Sequence, residues 1–253
     1  MFCNDDYFDW DQGWSGRGQF WYGVQLQGAT PQGDEGFESD GDDANSGNLP
    51  ASNPTIYNAT LIGRGSNRGI MAKEGTKGQV SNSIFSNFAA GVDLADEAGH
   101  PLDALANFGQ ETLSFSNNCF DVPTLLTVNG TAATGVTLAA FQGAGNDVVA
   151  GVIDASFTID PATNAVTGSL NPVPSVDVTS PEVAPVDDFF SGANYKGAFK
   201  PGATPWTSGW TLSQLLNVDN SIVDCPEDIN TDGAVNVDDF LQLLGAFNTS
   251  CGL

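Results

Sequence analysis

Oxygen-bearing side chains stand at positions 1, 3, 5, 9 and 12 of one short stretch: Asp228, Asn230, Asp232, Asn236 and Asp239. Gly233 falls at position 6, where such a loop turns sharply, and Ala234 at position 7 can offer its backbone carbonyl. Ca²⁺ takes about six to eight oxygen ligands, and this spacing supplies them. The chemistry implied is calcium binding; the alternative is a solvated acidic turn. Phe240, Leu243, Leu244 and Phe247 follow at helical spacing, so the loop is predicted to run into an amphipathic helix. Cys225 and Cys251 bracket the loop and helix. A module of about thirty residues buries little core, so a disulfide between them is predicted as its staple. Cysteine-ligated zinc is the competing reading, but there is no CxxC and His100 is the sole histidine. Cys3 and Cys119 read as buried free thiols.

Asp9, Asp11, Glu38 and Asp40 are a second calcium candidate, and their chemistry depends on how the chain stacks. Aligned on itself, the sequence shows two alternating motifs. One is Phe20–Gly28, Thr55–Gly63, Gln79–Phe85 and Ser114–Phe120, in which Asn58, Asn82 and Asn117 coincide, as do Leu61, Phe85 and Phe120. The other is Phe8–Asp11, Gly36–Asp40, Gly69–Lys73 and Gly91–Ala95. Short alternating strands with glycine punctuation and a repeated Asn predict a parallel β-helix, its turns stacked about 4.8 Å apart. A β-sandwich is the alternative. In the coil, Phe8, Phe37, Ile70 and Val92 form one inward column. Alternation then sends Asp9 and Glu38 outward together, with Asp11 and Asp40 in the next outward column. Stacked like charges repel, and a bound cation would relieve them. The competing reading is a solvated acidic face offset by Lys73, and stacking of the Asn column is expected to satisfy backbone groups at the corners.

Acidic residues number 31 against 7 basic, a net charge of −24 with a pI near 4.1. Nucleic acid and anionic membranes are excluded as partners, while divalent cations are attracted. With 30 Gly and few Lys, the composition favours turn-rich β structure. No apolar run is long enough to span a membrane. The expected organisation is β-helix turns over 1–121, an irregular β-rich end or cap over 122–170, a Pro-rich connector and aromatic strap over 171–218, and the calcium module over 219–253. Glycan stacking is the alternative role for the strap's aromatics. A disulfide-bearing module implies export, yet the chain opens on Met1-Phe-Cys-Asn without an export signal, so a fragment or mature form is expected.

Residues 224–251 resemble a dockerin-type repeat, in which Asp replaces the usual final Glu. The resemblance implies calcium binding and an attachment role. Cohesin docking fits less well, because dockerins carry two repeats and Val237-Asp238 departs from their partner-reading hydroxyl residues. Residues 1–120 resemble secreted bacterial surface proteins that carry DDxFDWDxGW, PTIYNATLIG and KEGTKG-like blocks, matched here by Asp5–Trp14, Pro54–Gly63 and Lys73–Gly78. That resemblance implies a β-helix at the cell surface or outside the cell.

Catalysis finds little support in residue types. A lyase built on such a coil needs a basic group to take a proton, and Arg17, Arg64, Arg68, Lys73 and Lys77 are the basic residues available. None stands in a lyase signature, and an inverting glycosidase would need two carboxylates at a set separation. His100 reads as a loop residue. The expectation is a mainly β, non-catalytic secreted or surface β-helix whose C-terminal calcium module attaches it to a surface or scaffold protein. A polysaccharide-active, lyase-like enzyme is the rival, with polysaccharide the partner common to both.

Overall fold

Runs of three to five residues between glycines and turns are too short to make a stable sheet from hairpins, so each must find its partner one repeat away. The computed structural model describes residues 5–25, 33–155, 158–159, 166–167, 170–211 and 237–245. The first pass of the chain lays down β1 (Phe8–Trp10), β2 (Arg17–Gln19) and β3 (Tyr22–Val24), one strand for each of three sheets. The second gives β4 (Phe37–Ser39), β5 (Thr55–Tyr57) and β6 (Thr60–Ile62), and the third β7 (Arg68–Ala72), β8 (Gly78–Ser81) and β9 (Ile84–Ser86). The fourth adds β10 (Ala90–Leu94), a short helix α1 (Ala104–Gly109), β11 (Leu113–Ser116) and β12 (Cys119–Asp121). Like strands of successive passes pair in parallel, forming sheets A, B and C in that order. The protein is mainly β, with parallel sheets and few helices.

Past residue 121, β13 (Thr124–Val128) pairs with β10 in sheet A. β14 (Thr131–Ala132) folds back antiparallel on β13 and covers that edge. Helix α2 (Gly135–Gly143) stands where a fifth strand of sheet B would come, and its buried Phe141 packs against Phe108, Phe115 and Phe120. β15 (Asp147–Val148) then joins β12 in sheet C. β16 (Asp154–Ala155) pairs with β19 (Leu170–Asn171), and β17 (Thr158–Ile159) with β18 (Val166–Thr167), both antiparallel. Helix α3 (Val237–Gly245) carries exposed Phe240 and Leu244. No helix among the described residues is long and apolar enough to cross a membrane.

Sheet A has the register read from the sequence: Phe8, Phe37, Ile70 and Val92 pair in succession and Leu126 follows. Phe37, Ile70 and Val92 are fully buried, whereas Phe8 at the outermost strand is only partly so. Leu61, Phe85 and Phe120 stack likewise in sheet C.

The first copy of the other motif requires a correction. It begins at Arg17 rather than Phe20, since Arg17 pairs with Thr55 and Tyr22 with Thr60. Phe20 thereby takes the corner position occupied by Asn58, Asn82 and Asn117, and all four have φ between 53° and 58°. Gly18 stands in line with Ile56 and Val80, where a Cβ would come 2.6 Å from the Trp21 ring. The Asn column is real, but its amides point outward. The backbone groups of the corner are satisfied by the next residues in line: Ser83 Oγ accepts from Ala59 N–H, Asn118 Oδ1 from Ser83 N–H, and Asn146 Oδ1 from Asn118 N–H.

Those outward amides hold the segment 178–198 against the coil. Asn58 Nδ2 donates to Tyr195 O, Asn82 Nδ2 to Glu182 O, and Asn117 Nδ2 to the Glu182 carboxylate. Tyr57 hydroxyl and Ser116 Oγ reach the same carboxylate at 3.1 and 2.8 Å. Arg17 pairs with Asp187 and Asp188 and lies 4.7 Å from the Phe189 ring centre. The segment doubles back on itself through an antiparallel bridge between Thr179 and Tyr195.

Candidate metal centre and the groove beside it

Alternation along β1 and β4 sends Asp9 and Glu38 outward as a direct pair, and Asp40 follows one residue after the end of β4. Asp9, Glu38 and Asp40 bring one carboxylate oxygen each within 4.8 Å of one another. That is about the span of two oxygens on opposite sides of a Ca²⁺ ion, given Ca–O distances of roughly 2.3–2.6 Å. Asp11 is not part of this group: it is exposed, and its carboxylate accepts the N–H of Gln12 within its own turn. Three of the four residues expected there therefore come together.

Lys73 stands next in the Asp40 column and reaches into the cluster. Its Nζ lies 2.9 Å from Glu38, 3.3 Å from Asp40 and 3.7 Å from Glu74. Burial and hydrogen bonding together decide which carboxylate carries the charge. Burial works against ionised Glu38, but hydrogen bonds from Asp6 and Lys73 outweigh it and hold its pKa below the ordinary range. Burial pushes Asp40 up to about 8 despite Lys73, and repulsion from Glu38 and Glu74 adds to the rise. Asp6 is pushed to about 7, first by burial and then by its hydrogen bond to Glu38. Burial opposes the charge on Lys73 as well, yet the carboxylates around it raise its pKa and keep it protonated. One oxygen of the buried Asp40, Oδ1, has no hydrogen-bond partner among the described residues. A carboxylate oxygen so placed is able to serve as a ligand to a hard cation.

The residues that complete this face were missed in the sequence. Asp6 accepts the backbone N–H of Glu35, and Glu35 is buried, its pKa pushed up to about 7 by that burial although Arg68 pairs with it at 2.7 Å. Asp93, farther along the same outward column, accepts from Thr127 Oγ1 and Gly130 N–H. Asp6 and Glu35 share the spacing that relates Asp9 to Glu38, so extending the register by a few residues would have found them.

Asp9 also lines a groove of about 440 Å³ with Tyr7, Phe8, Trp10, Trp14 and Trp21. Acidic cluster and aromatic groove thus meet at one residue. Two other basic residues are engaged elsewhere: Arg17 with the 187–188 carboxylates, and Arg64 with the carbonyl of Gly33. His100 sits in the turn before α1, its N–H bonded to Glu97 O.

Three parallel sheets visited in rotation, with an acidic outward face, are the setting for the comparison with known families. The model of the pectate-lyase-like β-helix domain matches residues 1–169. The chain belongs to that family. No curated protein and no solved structure matches it. The family match extends over sheets A, B and C and the whole acidic cluster, and stops before the segment that binds the Asn column. Asp228, Asn230, Asp232, Ala234 and Asn236 lie outside the described residues, as do Cys225, Cys251 and Cys3. Asp239 falls in α3. Cys119 is a buried free thiol, and burial raises its pKa to about 12.

Proposed function

We propose that this β-helix is a non-catalytic protein, secreted or displayed at the cell surface, that binds calcium and meets polysaccharide. One calcium is held by Asp9, Glu38 and Asp40. A second is held by Asp228, Asn230, Asp232, Asn236 and Asp239 with the Ala234 carbonyl, in a module closed by Cys225–Cys251 that attaches the protein to a surface or scaffold partner. The observation carrying this reading is the placement of Lys73. Its Nζ lies 2.9 Å from Glu38 and 3.3 Å from Asp40, and these two acids raise its pKa, which makes it a poor acceptor for a sugar proton at neutral pH.

The rival reading, a lyase-like enzyme, draws support from the aromatic groove that shares Asp9 with the cluster. Two measurements separate them. Calorimetric titration of the whole chain should resolve two calcium sites, one removed by Glu38→Gln with Asp40→Asn and the other by Asp228→Asn with Asp232→Asn. Incubation with polyuronides should generate no unsaturated product; its appearance would replace the non-catalytic reading with the lyase.

A further inference from the structure

Phe20 is the outlier of the corner column. In each of the next three passes the same position is Asn, whose short amide tolerates positive φ and whose side chain ties down the segment 178–198. Phe20 has φ 58° with a bulky side chain, a conformation that is rare for aromatic residues and costs stability. Its ring stacks beside Tyr195, with centroids 6.4 Å apart. Beyond it opens a groove of about 480 Å³, lined by Phe20, Tyr195, Phe199, Lys200, Thr204 and Trp206. That volume lies within the roughly 300–1,000 Å³ of pockets that hold small ligands. Trp206 stacks on Phe199 at 5.5 Å and 5°, and its Nε1 donates to Ala198 O, which fixes the plane of the indole. Even so, Trp206 is 42% exposed.

We infer that this groove is a binding site for a neutral pyranose-containing glycan. Aromatic rings at the groove offer flat apolar faces to the axial C–H face of a sugar ring, while Lys200 and Thr204 can hydrogen-bond its hydroxyls. A net charge of −24 repels polyanions, which is why the occupant is a neutral sugar. The strained corner has a use on this account, since Asn there could not supply a ring. The site lies mostly beyond the family match and uses none of the calcium residues. It names a ligand class for the polysaccharide partner proposed above, and rests on that reading.

The test is a panel of neutral gluco-, manno-, galacto- and xylo-oligosaccharides, with an oligogalacturonide as the charged comparison, titrated into the intact chain with and without EDTA. Tryptophan fluorescence and calorimetry are the readouts. At least one neutral oligosaccharide should bind, with or without calcium. Phe20→Asn, which restores the residue of the other passes, should weaken binding by about tenfold or more while the melting temperature holds or rises. Trp206→Ala should weaken it similarly. Binding by no neutral member, preference for the charged one, or full affinity in Phe20→Asn would each overturn the site. Cleavage of a bound glycan would instead sink the non-catalytic reading and leave the site standing.

Discussion

Replacing Lys73 with Met keeps the aliphatic stem and removes the one positive charge lodged among Glu38, Asp40 and Glu74. Breaking a fully buried ion pair costs about 3–5 kcal/mol, whereas an exposed pair is worth about 0–1 kcal/mol. These side chains are between 12% and 27% exposed, so the cost falls between the limits, at about 2 kcal/mol near pH 8. It should shrink to about 1 kcal/mol or less near pH 5, because Asp40, pushed up to about 8, and Asp6 and Glu35, pushed to about 7, then hold protons. The wild type follows the same sign. Carboxyls raised above their unfolded values lend stability that is fully present below about pH 4 and is lost as pH rises to between about 7 and 8. Urea unfolding followed by tryptophan fluorescence, at both pH values and with or without calcium, checks this. The variant should be penalised mainly at high pH, and calcium should recover most of the loss. An equal penalty at both pH values, or none, would refute the electrostatic account of the cluster.

Phe37→Ala should destabilise by about 3–5 kcal/mol and lower the melting temperature by about 10 °C, because the fully buried ring touches Phe8, Trp10, Trp21 and Phe85; thermal melts give the answer, and a loss under about 1 kcal/mol contradicts the inward column. Glu182→Ala removes the acceptor shared by Tyr57, Ser116 and Asn117, so at about 1 kcal/mol per partly exposed bond the segment 178–198 should open about a hundredfold more often. Hydrogen exchange should rise there while the sheets keep their protection; uniform loss across the coil would argue against a separable segment.

Sheet A was legible because its inward residues are strongly apolar and each later copy is announced by a glycine: Gly36 before Phe37, Gly69 before Ile70, Gly91 before Val92. The first pass of sheets B and C was not. Gly18 and Gly23 replace the apolar residues of later copies, Phe20 replaces Asn, and the alignment slipped by three residues toward the nearest aromatic run. The acidic cluster was found through register alone. Asp9, Glu38 and Asp40 followed from alternation, but Asp11 escaped because a turn begins at β1's end and bends it away. Lys73 was legible as a neighbour of Asp40, since column order is a sequence property. The partnership between the Asn column and Glu182 was hidden: residues some sixty to a hundred positions apart meet there, and no periodicity links them.

A stack of repeats behaves as a one-dimensional lattice in which each layer touches only the layers beside it, so it can fray from an end, one layer at a time. The segment 178–198 breaks that nearest-neighbour rule. It is bound to the first pass at Arg17, the second at Asn58, the third at Asn82 and the fourth at Asn117, and its ends meet at the Thr179–Tyr195 bridge. No outer layer can peel away without pulling on a tie that is also anchored in the layers beneath. Four passes are thereby coupled beyond their own ladders, and a fold whose architecture invites gradual unzipping gains a reason to melt as one cooperative unit.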